Sequence, residues 1–166
     1  IRIYSGSKIV LQEASCAAIE NDTGEVVAFG TDALIRMHSS QSGNYHLVWA
    51  IKNGIMTDYD ITKEMLRYFI NKATHQSVSR PSVMISVSCE LSDVVRHALV
   101  DVIKHAGVQS VSLISAPIAA ALGAGQILDL PDTILSVVIG KNLTDCGIYC
   151  CGGTIYEKSL AFGGYS

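Results

Sequence analysis

Apolar residues recur at the spacing of an amphipathic helix in two long stretches of the chain. Residues 60–76 place Ile61, Met65 and Phe69 on one face, and residues 92–106 repeat the pattern. Spacing of three to four residues is the signature of a helix that packs one face on a core. Together with two shorter segments, the pattern predicts four helices, at 31–37, 60–76, 92–106 and 117–127.

Short β-type runs occupy most of the remaining chain, and turn residues separate several of them. Two hairpins are predicted around Ser5-Gly6-Ser7 and Asn21-Asp22-Thr23-Gly24, and Asn53-Gly54 predicts a further turn. Strands joined by turns pair antiparallel, whereas strands joined through helices pair parallel. We therefore expect an α/β fold, a mixed sheet flanked by helices, in which 82–88, 108–114 and 133–139 share one sheet. The predicted strands are 1–4, 8–11, 15–20, 25–30, 47–51, 82–88, 108–114, 133–139, 145–150 and 154–161.

Polar residues at the helix ends predict where the helices begin. Thr31 is a candidate N-cap for the first helix, Asp60 or Thr62 for the second and Ser92 for the third. Gly107 is a candidate C′ residue, because glycine takes the left-handed conformation without strain.

Composition narrows the class of protein. The chain has 166 residues, 49% of them hydrophobic and 16% charged, with a net charge of −3 and no basic run. This excludes a disordered chain and argues against nucleic-acid binding, which needs clustered Lys and Arg. The apolar runs are shorter than a membrane span. The sequence begins at Ile1 without a methionine, so we expect a piece of a longer protein.

Cysteine and histidine do not form a ligand pattern. The cysteines are odd in number and lack CxxC spacing, which argues against a disulfide framework and a zinc site. We therefore expect buried, reduced cysteines, and we interpret the five histidines as structural or surface residues. No metal ligand and no catalytic residue is assigned. The cysteines stand at 16, 89, 146, 150 and 151.

Several segments, in order along the chain, resemble actin homologues of the MreB type from bacteria. The most specific is "IKNGIMTDYDITKEMLRYFI" at 51–70, whose residues 52–58 are similar to the family's Lys-Asp-Gly-Val-Ile-Ala-Asp. "PIAAALG" at 117–123 recurs more widely, in the actin, sugar-kinase and heat-shock chaperone superfamily. The resemblance covers nearly the whole chain but only the first of two family domains. It implies one ribonuclease-H-like, actin-like domain over residues 1–166, with a small insertion around 25–50.

The resemblance also implies a nucleotide site, and this chain departs from it. The family holds ATP and a divalent metal in a cleft, with an Asp-Ile-Gly-Gly-Gly-Thr-Thr hairpin on the phosphates. Here the matching run is "VIGKNLT" at 138–144. The metal-side Asp has become Val138, and side chains stand where phosphates need bare backbone. We interpret Gly140, Lys141, Asn142 and Thr144 as a vestigial phosphate loop.

The family's water-orienting carboxylates are replaced as well. Its Ile-Glu-Glu-Pro matches "ISAP" at 114–117, which leaves Ser115 and Ala116 without charge. Asp58 persists, but we interpret it as a structural carboxylate beside a helix. These replacements predict a domain that is not an ATPase and needs no cofactor of its own.

Three functional hypotheses follow from the resemblance. The first is a cytoskeletal, rod-shape-determining protein with a decayed ATP site. It would work in the cytoplasm through self-association or filament partners, and reach the membrane through inner-membrane morphogenesis proteins. The second is a divergent but active ATPase of the actin superfamily, using Lys141 and Thr144. The third is a relative of chaperone-type or cell-division ATPase domains.

Overall fold

The computed structural model describes residues 1–39, 43–52, 54–75 and 80–164. The predicted turn at Asn53 and the predicted helix end at Gln76 lie outside these ranges. The chain divides into two compact units, Ile1–Ser82 with Ala98–Ser110, and Val83–His97 with Val111–Ser166. We describe each unit by itself.

Among its described residues, the first unit contains three small antiparallel sheets. Both predicted hairpins are present, and β3 lies between β4 and β5 in a three-stranded sheet. The strands of this unit are β1 Arg2–Ser5, β2 Lys8–Gln12, β3 Cys16–Glu20, β4 Val26–Phe29, β5 Tyr45–Trp49, β6 Ile51–Lys52 and β7 Ile55–Met56.

Helix α1, Thr31–Ser39, begins differently from the prediction. Thr31 is its first helical residue rather than its N-cap. The Thr31 N–H donates instead to the carboxylate of Glu13, at 2.8 Å. The other carboxylate oxygen of Glu13 accepts from Lys72 at 2.8 Å. A side chain distant in sequence therefore caps the helix, which local sequence reasoning cannot detect.

Helix α2, Tyr59–Ala73, is capped by Asp58. Asp58 has extended backbone, with φ −143°, and its side chain accepts from the Ile61 N–H at 2.8 Å. The prediction of Asp60 or Thr62 as the cap was therefore wrong. Thr62 is buried, and its hydroxyl donates to the Ala50 carbonyl at 3.1 Å. The interpretation of Asp58 as a structural carboxylate beside a helix agrees with this geometry.

Replacing Asp58 with alanine is expected to lower the free energy of unfolding by about 1 kcal/mol, because the Ile61 N–H loses its acceptor. Chemical denaturation of the two proteins measures the difference. Asp60→Ala is the matched control, because Asp60 is the second residue of the helix and pairs with Lys63 on the surface. Equal losses for the two variants would contradict the assignment of the cap.

The core of the first unit forms where α2 packs on the strands. Leu11, Ala50, Met65 and Phe69 make one buried cluster, and Met65 and Phe69 are completely buried. The helical spacing of residues 60–76 placed Met65 and Phe69 on one face, and that face is the buried one.

Helix α3, Asp93–His105, contributes residues to both units. Ser92 precedes it as predicted, with its carbonyl accepting from the Arg96 N–H at 2.9 Å. Gly107 follows with φ 103°, a left-handed conformation that suits glycine.

The second unit contains the strand pair β8–β9, helix α4 and the antiparallel sheet β10–β11–β12. Among the described residues β10 pairs with β11, so the prediction that 82–88, 108–114 and 133–139 share one sheet was wrong. The strands β10 to β12 are joined by short turns, and their backbones pair with one another. The elements are β8 Ser82–Val87, β9 Ser110–Ser115, α4 Ala116–Gly123, β10 Ile134–Ile139, β11 Thr144–Cys150 and β12 Gly153–Leu160.

Helix α4 is shorter than predicted and ends at Gly123 rather than at 127. Gly125 follows with a left-handed φ of 80°, and glycine is a poor helix former. The helix therefore ends before the apolar run does.

The two faces of the β10–β11–β12 sheet differ in cover. On one face Leu135, Val137 and Ile139 of β10 are 67%, 52% and 71% exposed. We call these three residues the open apolar row. On the opposite face, Val138 of β10 lies across from Asp145 of β11, which lies across from Ser159 of β12. Asp145 is buried, so this second face is the covered one.

The cysteines are less uniformly buried than predicted. Cys16 is completely buried, whereas Cys151 is exposed, and all five are free thiols. The β-type residues around Cys151 suggested a buried strand, but Cys151 lies in the turn after β11.

Candidate functional site

The loop between β10 and β11 is the predicted phosphate loop, and it is tightly closed. The last pair of the hairpin is Ile139 and Thr144, which leaves residues 140–143 in the loop. The Gly140 N–H donates to the Leu143 carbonyl at 2.8 Å. A Cβ on Gly140 would lie only 2.8 Å from that same oxygen, so the close approach requires glycine here.

The segment after β12 lies directly on this loop. The Gly164 N–H donates to the Gly140 carbonyl at 2.9 Å. A Cβ on Gly163 would lie 2.5 Å from the Gly140 oxygen and 2.6 Å from the Lys141 carbonyl carbon. Thr144 is buried, and its hydroxyl donates to the Phe162 carbonyl at 2.9 Å. The backbone of the segment after β12 therefore packs directly against the backbone of the loop and fills the space beside it.

Ser115 and Ala116 stand where β9 meets α4. The Ser115 hydroxyl donates to the Glu157 carboxylate at 2.5 Å, and the Tyr149 hydroxyl donates to the same oxygen at 2.6 Å. Burial first, and then the hydrogen bond to Glu157, raise the pKa of Tyr149 above its usual range. The tyrosine therefore remains a neutral donor, and Glu157 is a carboxylate held beside the Ser115 position.

A buried polar cluster centred on Asp145 was not predicted from the sequence. One oxygen of Asp145 accepts from Ser88 at 2.7 Å and also from the Ser159 hydroxyl. The thiol and the backbone N–H of Cys89 approach the same oxygen at 3.3 Å and 3.4 Å. Burial alone would raise the pKa of Asp145, but the hydrogen bonds from Ser159, Ser88 and Cys89 outweigh it and lower the pKa.

A signal for this cluster exists in the sequence. Ser88 and Cys89 come directly after an apolar strand, and Asp145 and Ser159 interrupt the apolar residues of two others. Polar residues at strand positions that face a core need partners, but single-sequence patterns do not show which ones pair.

No group of three or more His, Cys, Asp or Glu side chains with metal-site geometry occurs among residues 1–39, 43–52, 54–75 and 80–164. Over the same ranges, no helix is long and apolar enough to cross a membrane. Histidines take part in local contacts, such as His46 with Asn21 at 2.7 Å.

The sequence model of the family described as MreB/Mbl protein matches residues 1–166. The chain belongs to the MreB/Mbl family. It is 33% identical over 160 residues to the cell shape-determining protein Mbl of Bacillus cereus, covering 96% of this chain and 48% of that protein. It is 33% identical over 165 residues to the cell shape-determining protein MreB of Escherichia coli K12, covering 96% and 47%. The chain thus spans about half the length of these relatives.

Solved structures give the same fold for this MreB/Mbl chain. MreB5 of Spiroplasma citri bound to ADP superposes with a TM-score of 0.80 at 25% identity, covering 96% of this chain and 47% of that one. The chain in a MamK double helical filament superposes with a TM-score of 0.69 at 15% identity, covering 89% and 46%. The predicted α/β actin-like fold is confirmed.

Proposed function

We propose that this chain is part of an actin-fold, cell-shape-determining cytoskeletal protein that acts through protein–protein assembly, and that its ATP site has decayed. Its relatives bear cell-shape names, and one structural neighbour is a filament. This family assignment favours it over the chaperone-type or cell-division alternative. Its partners would be further copies or related filament proteins, in the cytoplasm, with membrane contact made through morphogenesis proteins.

The closed loop at 140–143 is the observation that carries the decayed site. A phosphate cradle needs backbone N–H groups that point outward and room for the phosphate oxygens. The Gly140 N–H is instead directed to Leu143, and the segment at Gly163 and Gly164 packs on the loop. The residues present at this loop therefore do not fit a triphosphate, and we assign no catalytic step to them.

The fate of the carboxylates also supports this proposal. Val138 has no ligand atom, and one oxygen of the carboxylate across the ladder from it, Asp145, accepts from Ser88, Ser159 and Cys89. A metal ion on that oxygen would have to displace those hydrogen bonds. Breaking hydrogen bonds to a buried carboxylate costs more free energy than breaking those to an exposed carboxylate, which water can replace.

One contact favours the second candidate, a divergent ATPase. Glu157 places a carboxylate on Ser115, next to the position where the family has a glutamate. Relatives of this fold bind nucleotide, as in the ADP-bound and AMPPNP-bound MreB5 of Spiroplasma citri. An ATPase would need the phosphate loop to open. The calorimetry experiment described below separates the two candidates.

We further propose that residues 1–166 form one actin-like domain, the first half of the two-domain family fold. The insertion expected around 25–50 would then comprise β4, α1 and β5, which lie within those bounds. Residues Gly140, Lys141, Asn142 and Thr144 remain assigned, by this proposal, to a vestigial loop.

Titration calorimetry with ATP and Mg²⁺ tests the decayed site. The chain is expected to bind no more tightly than a millimolar dissociation constant, about −4 kcal/mol. The matched variant carries Val138→Asp, Lys141→Gly and Asn142→Gly, which restores the family residues at three of the four positions where the run departs from them. A gain of affinity in the variant supports loss through these three positions. Micromolar binding by the unmodified chain would exclude the decayed site, and release of phosphate from the bound ATP would then be the test of the ATPase candidate.

Assembly is tested separately on the complete protein by pelleting and electron microscopy, with and without ATP. The proposal expects filaments in both conditions and equal pelleted fractions. Filaments that form only with ATP would contradict it.

A further inference from the structure

The turn that joins β11 to β12 carries two adjacent cysteines in an uncommon conformation. Cys150 pairs with Gly153 at the end of the ladder, and Cys151 and Gly152 form the turn between them. Their φ angles are 51° and 73°, so both residues are left-handed. Two left-handed residues make a type I′ turn, which normally carries Asn-Gly. A cysteine at the first position is therefore unfavourable for the backbone.

The turn is held in place by the loop that follows α4. The Cys151 N–H donates to the Leu130 carbonyl at 3.0 Å, and the Gly152 N–H donates to the Leu128 carbonyl at 2.7 Å. The Cys150 thiol donates to the Pro131 carbonyl at 3.3 Å. These three bonds fix both backbone and side chain at the end of the hairpin.

The two thiols lie side by side, and one of them is open to solvent. Their sulfur atoms are 3.6 Å apart. Cys151 is exposed and Cys150 is half-buried. Two thiolates bound to one tetrahedral centre, with bonds of about 2.3 Å, lie about 3.8 Å apart. The pair is therefore already spaced to bind a single atom.

The number of ligands decides which kind of centre fits. A structural metal such as zinc takes four protein ligands. In the described ranges no third His, Cys, Asp or Glu completes a group with this pair. A trivalent arsenic atom that carries one organic group has two bonds left to make. It is thiophilic, as soft centres are, and the pair supplies both sulfurs.

We propose that Cys150 and Cys151 form a vicinal dithiol site for a trivalent, thiophilic centre, of which an organic arsenical is the representative ligand. An arsine oxide reacts with both thiols. Two S–H bonds and the arsenic–oxygen double bond are broken, two arsenic–sulfur bonds form, and the oxygen leaves with both protons as water. Arsenic stays trivalent, so no oxidant or reductant is required.

The thiols are suited to chelation rather than to single-thiol reactivity. The hydrogen bond with Cys150 raises the pKa of Cys151. The exposed Cys151 sulfur is therefore a poorer thiolate at neutral pH, and reagents that attack it alone gain little. A ligand that bonds both sulfurs gains from the second bond, which forms within one molecule.

Phenylarsine oxide is the probe, and intact-protein mass spectrometry is the readout. The chain is expected to hold one equivalent in an excess of a monothiol and to release it to a small dithiol. Cys150→Ser and Cys151→Asn are each expected to reduce the retained fraction by about tenfold or more, because one bond remains. Cys146→Ser is the matched control and should retain the adduct, since it leaves both turn thiols in place.

The Cys151→Asn variant also separates loss of the ligand site from loss of folding. Asparagine is favoured in a type I′ turn, so circular dichroism should show a folded chain of at least equal stability. An adduct that survives monothiol in Cys151→Asn, or none in the unmodified chain, would overturn the site. Equal retention by the native and urea-denatured chains would overturn the role of the fixed turn.

Discussion

Phe69→Ala is expected to lower the free energy of unfolding by about 3–5 kcal/mol. Phe69 is completely buried in the cluster with Leu11, Ala50 and Met65. The loss combines the transfer of the ring from water with the cavity left behind, because the surrounding strands relax only partly. Domains of this size have about 5–15 kcal/mol of stability, so the loss is a large fraction of the total.

Urea titration followed by circular dichroism measures this change as a shift of the midpoint at constant slope. The control is Ile35→Ala in α1, because Ile35 is 55% exposed and its truncation should cost under about 1 kcal/mol. If both variants lost the same stability, the core of the first unit would not lie under α2.

Asp145→Ala is the second substitution with a large expected effect, about 1–3 kcal/mol, because it removes the shared acceptor of the half-buried Ser88 and Ser159 hydroxyls and leaves them only each other as partners. Asp132→Ala is the matched control, because Asp132 is exposed. Unfolding titrations at neutral pH compare the two. A loss for Asp145→Ala no larger than that of the control would mean that the cluster does not contribute to stability.

The Asp145 cluster also predicts a pH dependence. Burial raises the pKa of Asp145, but its hydrogen bonds lower the pKa by more than burial raises it. The folded-state pKa therefore lies below the ordinary value. A carboxyl with a lowered pKa contributes full stability above its unfolded pKa of about 3.9, and loses that contribution as the pH falls through the folded value. The stability difference between the unmodified chain and Asp145→Asn should therefore be constant near neutrality and shrink below about pH 4. A difference that grew in acid would contradict the direction of the shift.

The sequence was sufficient for elements whose determinants are local. The helical spacing of Met65 and Phe69 located α2 and its buried face, and the turn residues around Gly6 and Gly24 located two hairpins. Determinants that lie elsewhere in the chain were missed. The cap of α1 comes from Glu13, and the partners of Asp145 come from residues 88, 89 and 159.

The candidate site shows the same division. Substitutions at Val138 and Ser115 are visible in the sequence, because the resemblance supplies the residues that are missing. The packing of Gly163 and Gly164 on the loop is not visible, since it depends on backbone approach between segments far apart in the chain. Glu157 was overlooked for the same reason.

The open apolar row also governs how the isolated chain behaves in a test tube. Leu135, Val137 and Ile139 present contiguous hydrocarbon to water on an ordered strand. Such a surface binds hydrophobic dyes such as ANS in the folded state, so dye fluorescence will not report unfolding cleanly. Salts that are excluded from protein surfaces are expected to promote aggregation, so light scattering should rise with the sulfate concentration and with the protein concentration. Calorimetry and denaturation of this chain therefore belong in dilute, low-sulfate buffer.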